Sequence, residues 1–169
     1  MTRKVLAFTV AAVLIAGAQQ VRAQAPAEAG FKKLAALAGD WQGKDEQGNS
    51  VATNFKVVAG GTAVLETFSP STPVEMLTVD TVDNDSLVLA HFCPTKNQPR
   101  MRARPGAGEI KQLAFAFEGA GNLPSLAIGH EHKLLMEFTD GNHIVEHWTW
   151  QKAGKDHEFV YRLTRKAGS

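Results

Sequence analysis

From residue 41 onward, apolar and polar residues alternate in short runs at roughly 41–46, 51–58, 62–68, 74–81, 86–93, 99–104, 110–117, 130–138, 143–151 and 157–165. A two-residue period puts alternate side chains on opposite faces of a strand, so each run reads as a strand with one apolar face. The pattern is sharpest in LAFAF, where Leu113, Phe115 and Phe117 share a face, and in FVYRL, where Phe159, Tyr161 and Leu163 do. Both trios are expected to point into the core. Turn-forming stretches, GG (60–61), DND (83–85) and DGN (140–142), separate consecutive runs and favour antiparallel neighbours in chain order. The expectation is an all-β fold, an antiparallel up-and-down β-barrel of about ten strands. A sandwich is the alternative, because periodicity does not establish closure.

Ahead of the strands the period changes. FKKLAALAGDW places Phe31, Leu34, Ala35 and Ala38 at helical spacing, with Gly39 just past the end. This predicts one short N-terminal helix, from about 29 to 38, that closes one end of the barrel with Trp41 buried beneath it. Residues 24–30, QAPAEAG, are small and turn-prone and read as a flexible leader. The barrel itself is expected to be a single domain over 31–166, with 118–129 forming a loop beside its mouth.

Composition adds a compartment. Arg3 and Lys4 precede an uncharged apolar stretch, Val5 to Ala18, and Val21 and Ala23 form a small-residue cleavage pattern. Residues 1–23 therefore read as a signal peptide, and the protein as periplasmic or secreted with no transmembrane segment in the mature chain. LIAGA (14–18) ends in Ala18 where a lipoprotein site needs Cys. Cleavage removes three of 18 Lys and Arg and leaves 15 against 17 Asp and Glu, a near-neutral balance that argues against nucleic acid as a partner. Cys93 stands alone, so it is a buried thiol, an intermolecular bridge or a ligand.

LAGDWQG (37–43), a Gly-x-Trp directly after a short helix and opening the first strand, resembles the start of calycin-type barrels: lipocalins, fatty-acid-binding proteins and nitrobindin-like domains. In lipocalins a late Arg stacks on this Trp, and YRLTRK (161–166) offers Arg162 or Arg165. HFCPTKNQPRMRA and EHWTWQKAGK resemble small exported bacterial domains of unknown function, so the likeness spans about residues 31–166 without assigning an activity. It implies an interior site for a small apolar or amphipathic ligand. The nitrobindin-like members imply haem held by one His, to which no specific His of this chain can be matched.

Strand parity selects candidate site residues. In LVLAHFC, Leu87, Leu89, His91 and Cys93 share a face, and in HEHKLLMEF, His130 and His132 share one with Leu134, Met136 and Phe138. Three direction reversals separate the segments, so both polar pairs are expected at the same end. His91, Cys93, His130 and His132 could then hold a transition metal, with Met101 as a weak fifth ligand and His147 as a further candidate; the bland reading is a polar rim. A Cys93–His dyad oriented by Glu131 is the enzyme reading, although no oxyanion-hole glycine motif accompanies it. Arg100, Arg102 and Arg104 alternate on one face. Outward, they are a solvated strand; inward, Arg100 in particular could hold a ligand carboxylate, as arginines of fatty-acid-binding proteins do. Trp41, Trp148 and Trp150 read as packing residues, Trp41 also as a ligand wall, and Glu146 as a buried partner for an arginine or histidine.

Overall fold

The computed structural model describes residues 26–168, so the signal-peptide reading of residues 1–23 lies outside the described residues. Helix α1 spans 26–35. Ten strands follow: β1 Gly39–Lys44, β2 Ser50–Val58, β3 Ala63–Phe68, β4 Met76–Asp83, β5 Ser86–Phe92, β6 Gln98–Ala103, β7 Gln112–Gly121, β8 His130–Phe138, β9 His143–Lys152 and β10 Lys155–Arg165. Every strand pairs antiparallel with its chain neighbours, and β1 pairs with β10 to close the barrel. Closure excludes the sandwich and leaves no free sheet edge.

Alternation carried round the ring fills the closed barrel. Trp41, Phe55, Val64, Leu87, Leu89, Met101, Leu113, Phe115, Leu134, Met136, Ile144 and Leu163 are all buried in one cluster. They are inward positions of their strands, and their neighbours in sequence face solvent or are half-buried, except for buried Ala63 beside Val64 and buried Ser86 beside Leu87. Val160 departs from this rule, being buried on the opposite face from Tyr161. The two trios differ in depth: Leu113, Phe115 and Leu163 are buried in the core, half-buried Tyr161 and 42% exposed Phe159 line the open-end cavity, and half-buried Phe117 packs on the rings of His130 and His132.

One end is plugged by α1. Ala27, Phe31 and Leu34 are buried, and a methyl group added at Gly30 would lie 2.9 Å from Leu87 and 3.1 Å from Pro105. The helix thus begins about three residues earlier than its periodicity predicts, and 26–30 is packed helix rather than flexible leader. Alanine and glycine show little hydrophobic pattern, but their small size permits this close approach. Past the helix, the Trp41 Nε1–H donates to the Leu37 carbonyl at 2.8 Å. Arg165 donates to the carbonyls of Ala36 and Ala38, each at 2.7 Å, and its guanidinium covers the Trp41 ring at 4.5 Å. These bonds satisfy carbonyls that a helix end leaves open. Arg165, not Arg162, is the stacking arginine. Arg162 pairs with Lys44 in the sheet.

The opposite end carries the turns β1–β2, β3–β4, β5–β6, β7–β8 and β9–β10, and no helix among the described residues covers it. Two irregularities shape this rim. The β6–β7 register shifts between Arg100 and Met101, so Glu118 is the extra residue of a bulge; the β8–β9 register shifts between Glu131 and Lys133, so His132 is extra there. Arg102 anchors the first by bonding Glu118 and Asp83. Through its bulge β7 continues to Gly121, which shortens the expected loop to 122–129.

Candidate functional site

The site lies at the open end, above the apolar cluster. Inward positions of β3, β4, β5, β8, β9 and β10 bring Glu66, Phe68, Met76, Thr78, His91, Glu131, Trp148, Phe159 and Tyr161 round one cavity. About 320 Å³ of space lies between them, part of it open to solvent. It is narrow, and a water-sized group has freedom to move through little more than one water's worth of room.

His91 is 3% exposed and packs its ring against Trp148 at 4.8 Å. Its Nδ1 lies 3.1 Å from the Thr78 hydroxyl, and its Nε2 has no hydrogen-bond partner. Burial pushes its pKa down to about 4, so the ring is neutral at physiological pH. Beneath and beside it lie carboxyl groups. Glu66 takes a hydrogen bond from Thr53 at 2.9 Å, and burial pushes it up to about 7. Glu146, fully buried, accepts from the Trp148 indole at 3.2 Å and lies beside Glu66. Burial first, then the neighbouring Glu66, holds Glu146 well above the usual carboxylate range; the same two causes act on Asp80. Glu131, on the inner face by the β8 bulge, is pushed up to about 7 by burial. Glu146 Oε1 and Glu131 Oε2 have no hydrogen-bond partner in the protein. Among the described residues the buried polar side chains include no Lys or Arg, so no buried cation neutralises these acids.

The four proposed metal ligands share an end of the barrel but not a point. Asn97, in the β5–β6 turn, donates to the Gly129 carbonyl at 2.9 Å, which ties the end of β5 to the start of β8 as parity implied. Only His91 faces the cavity. Cys93 lies beyond β5, half-buried rather than buried, with its sulfur 2.8 Å from the Thr95 hydroxyl, so it forms neither the expected sealed thiol nor a dyad with His91. His130 and His132 do not line the cavity; the β8–β9 register shifts at His132, and Glu131 is the residue of this stretch that reaches the cavity. The two histidine rings pack on Phe117 where β7–β8 pairing ends, with centroids 4.9 and 5.1 Å away. His130 Nδ1–H donates to the Ile128 carbonyl at 2.8 Å, which leaves Nε2 to accept from His132 Nδ1–H at 3.2 Å. That geometry is a satisfied structural pair, and burial lowers the pKa of His132. Among the described residues no group of three or more His, Cys, Asp and Glu side chains is placed to hold a metal ion.

The remaining candidates sort by face. Arg100 and Arg104 are exposed and Arg102 is half-buried in its outer ion pairs, so Arg100 does not reach an interior carboxylate. Met101 is buried beside Leu89 and Phe117, and His147 faces outward between Glu137 and Glu158. Trp41 is wholly buried at the plugged end, away from the cavity. Glu146 meets a tryptophan and another acid, not a base. Glu66 and Asp80 escaped the sequence reading, although ETF (66–68) and TVD (78–80) place each acid in phase with apolar inward positions.

No helix among the described residues is long and apolar enough to cross a membrane. No protein-family model matches this chain, and no curated protein matches it.

Proposed function

We propose that this protein is a calycin-like barrel that binds a small amphipathic molecule at its open end, in the compartment to which a signal peptide would deliver it. The observation that carries the reading is the His91 imidazole nitrogen, buried and without a partner, in a cavity otherwise walled by Phe68, Met76, Trp148, Phe159 and Tyr161. A buried polar atom left unpaired costs roughly 1–3 kcal/mol, and a ligand that bonds to it recovers that cost. Apolar walls with a few convergent polar atoms are the usual make-up of a small-molecule site. The Trp41–Arg165 stack supports the calycin kinship. The cavity is small, so the ligand enters by one end and leaves the rest at the rim.

The test is native mass spectrometry of protein purified from its source, followed by titration of the recovered compound while the Trp148 indole resonance is monitored by NMR. A retained small molecule that shifts Trp148 supports the reading. A chain that carries no adduct, and whose Trp148 resonance responds to no amphipathic compound, overturns it.

A second reading is a partner-binding envelope protein. Val74, Phe92, Leu126, Ile128 and Phe159 are all exposed apolar residues at the open end, and clustered exposed apolar side chains mark interaction surfaces. Under this reading the barrel interior serves only as core, and the same titration would leave Trp148 unmoved.

A further inference from the structure

We propose that the head group bound in the cavity is a primary ammonium, so that the ligand is a small amphipathic amine rather than a fatty acid. The inference rests on the ligand-binding reading above and specifies its polarity. Three observations carry it together. The groups facing the cavity or lying just beneath it are Glu66 on β3, Asp80 on β4, His91 on β5, Glu131 on β8, Glu146 on β9 and Tyr161 on β10. Four are carboxyls, and among the described residues no buried Lys or Arg balances them. A carboxylate head would find no cation there and would be repelled by whichever of these acids is ionised, which is the reverse of a barrel that uses interior arginines.

The second observation is the unpaired chemistry. Thr78 lies against His91 Nδ1 and within hydrogen-bonding reach of Glu66. When its hydroxyl donates to Glu66 it accepts from His91 Nδ1–H, which leaves Nε2 as a bare acceptor. Glu131 Oε2 is a second unpaired acceptor, and Glu66 lines the same space. An ammonium supplies three donors and no acceptor. The third is enclosure: the cavity is narrow and suits a compact head group such as an ammonium. The Trp148 ring beside His91 offers a π face to the same cation. The alkyl tail would then lie along Phe68, Met76 and Phe159 toward the rim.

The experiment compares n-hexylamine, 1-hexanol and hexanoate, which share one tail, by titration into the purified protein at pH 8 with the Trp148 indole resonance as readout. Hexylamine is expected to bind at least about tenfold more tightly than hexanol, and hexanoate to bind more weakly than either. Glu131→Gln, which keeps size and removes the charge, is expected to weaken hexylamine about tenfold and leave hexanol within about twofold. Hexanoate binding as tightly as the amine overturns the inference, as does a hexanol affinity equal to the amine's, while the ligand-binding reading stands. If no compound shifts Trp148, the ligand-binding reading itself falls. The wild-type comparison alone decides between amine and acid if the variant fails to fold.

Discussion

The Arg165 guanidinium donates to the Ala36 and Ala38 carbonyls and covers the Trp41 ring, so one side chain joins the end of β10, the end of α1 and the start of β1. A planar fork with several donors can do both at once, and an ammonium cannot. Arg165→Ala is expected to lower stability by about 2–3 kcal/mol, from lost charge-assisted bonds and ring contact. Arg165→Lys should recover less than half of that. Urea unfolding midpoints of the three proteins check both statements; equal midpoints for wild type and Arg165→Ala would mean that the plug holds without it. Gly129 is the second decisive position. A methyl group there would sit 2.0 Å from the Trp150 ring, so Gly129→Ala must displace the indole. A cost of roughly 1–3 kcal/mol is expected from the overpacked contact, with a changed Trp150 side-chain resonance.

Among the elements, the β-bulges determine what the rim presents. In β8 the extra residue His132 turns Glu131 inward and sets His130 against Phe117, and in β7 the extra residue Glu118 gives Arg102 its partner. Bulges recur at barrel rims because one unpaired residue redirects every side chain beyond it. Asn97, 1% exposed, links the β5–β6 turn to the strand β8 through the Gly129 carbonyl. Asn97→Ala is expected to cost about 1–2 kcal/mol, from a lost bond to a buried carbonyl. The loss should be local: amide exchange in the 122–129 loop is expected to rise by about tenfold or more, while β2 and β3 amides keep their relative protection. Uniform loss of protection around the barrel would show that the link supports the whole fold instead.

Over the whole molecule, the acids inside the barrel set its response to pH. Burial pushes Glu66 and Glu131 up to about 7, above their ordinary 4.5, and holds Asp80 and Glu146 well above the usual carboxylate range. For such groups the unfolded chain ionises first, so stability is full below about pH 4.5 and declines as pH rises through the folded values. His91 acts oppositely between 6.5 and about 4, because its folded form resists protonation. Four acids outweigh one histidine, and the protein is expected to be more stable at pH 5 than at pH 8. Denaturant midpoints at the two pH values test this, and Glu66→Gln should reduce the difference. A midpoint that rises toward pH 8 would mean that the interior acids are already ionised and solvated.

The alternation of apolar residues specified ten strands within a few residues of their observed bounds, because a half-buried strand must repeat every second residue. Chain-order turns specified antiparallel neighbours, and counting reversals placed His91 and His130 at one end. Closure between β1 and β10 was not legible in this way, since no local pattern records which distant strands meet. The helix start was missed because small residues pack by closeness rather than by hydrophobic contrast. The site was legible in part: His91 and Glu131 were singled out, yet parity alone assigned His130 and His132 to the cavity mouth. A single extra residue, His132, shifts the β8–β9 register there and leaves Glu131 to reach the cavity, and its presence depends on pairing with β9. Glu66 and Asp80 sit on the paired strands β3 and β4, but Glu146 lies far off in sequence on β9, and only the closed barrel brings its carboxyl beside theirs.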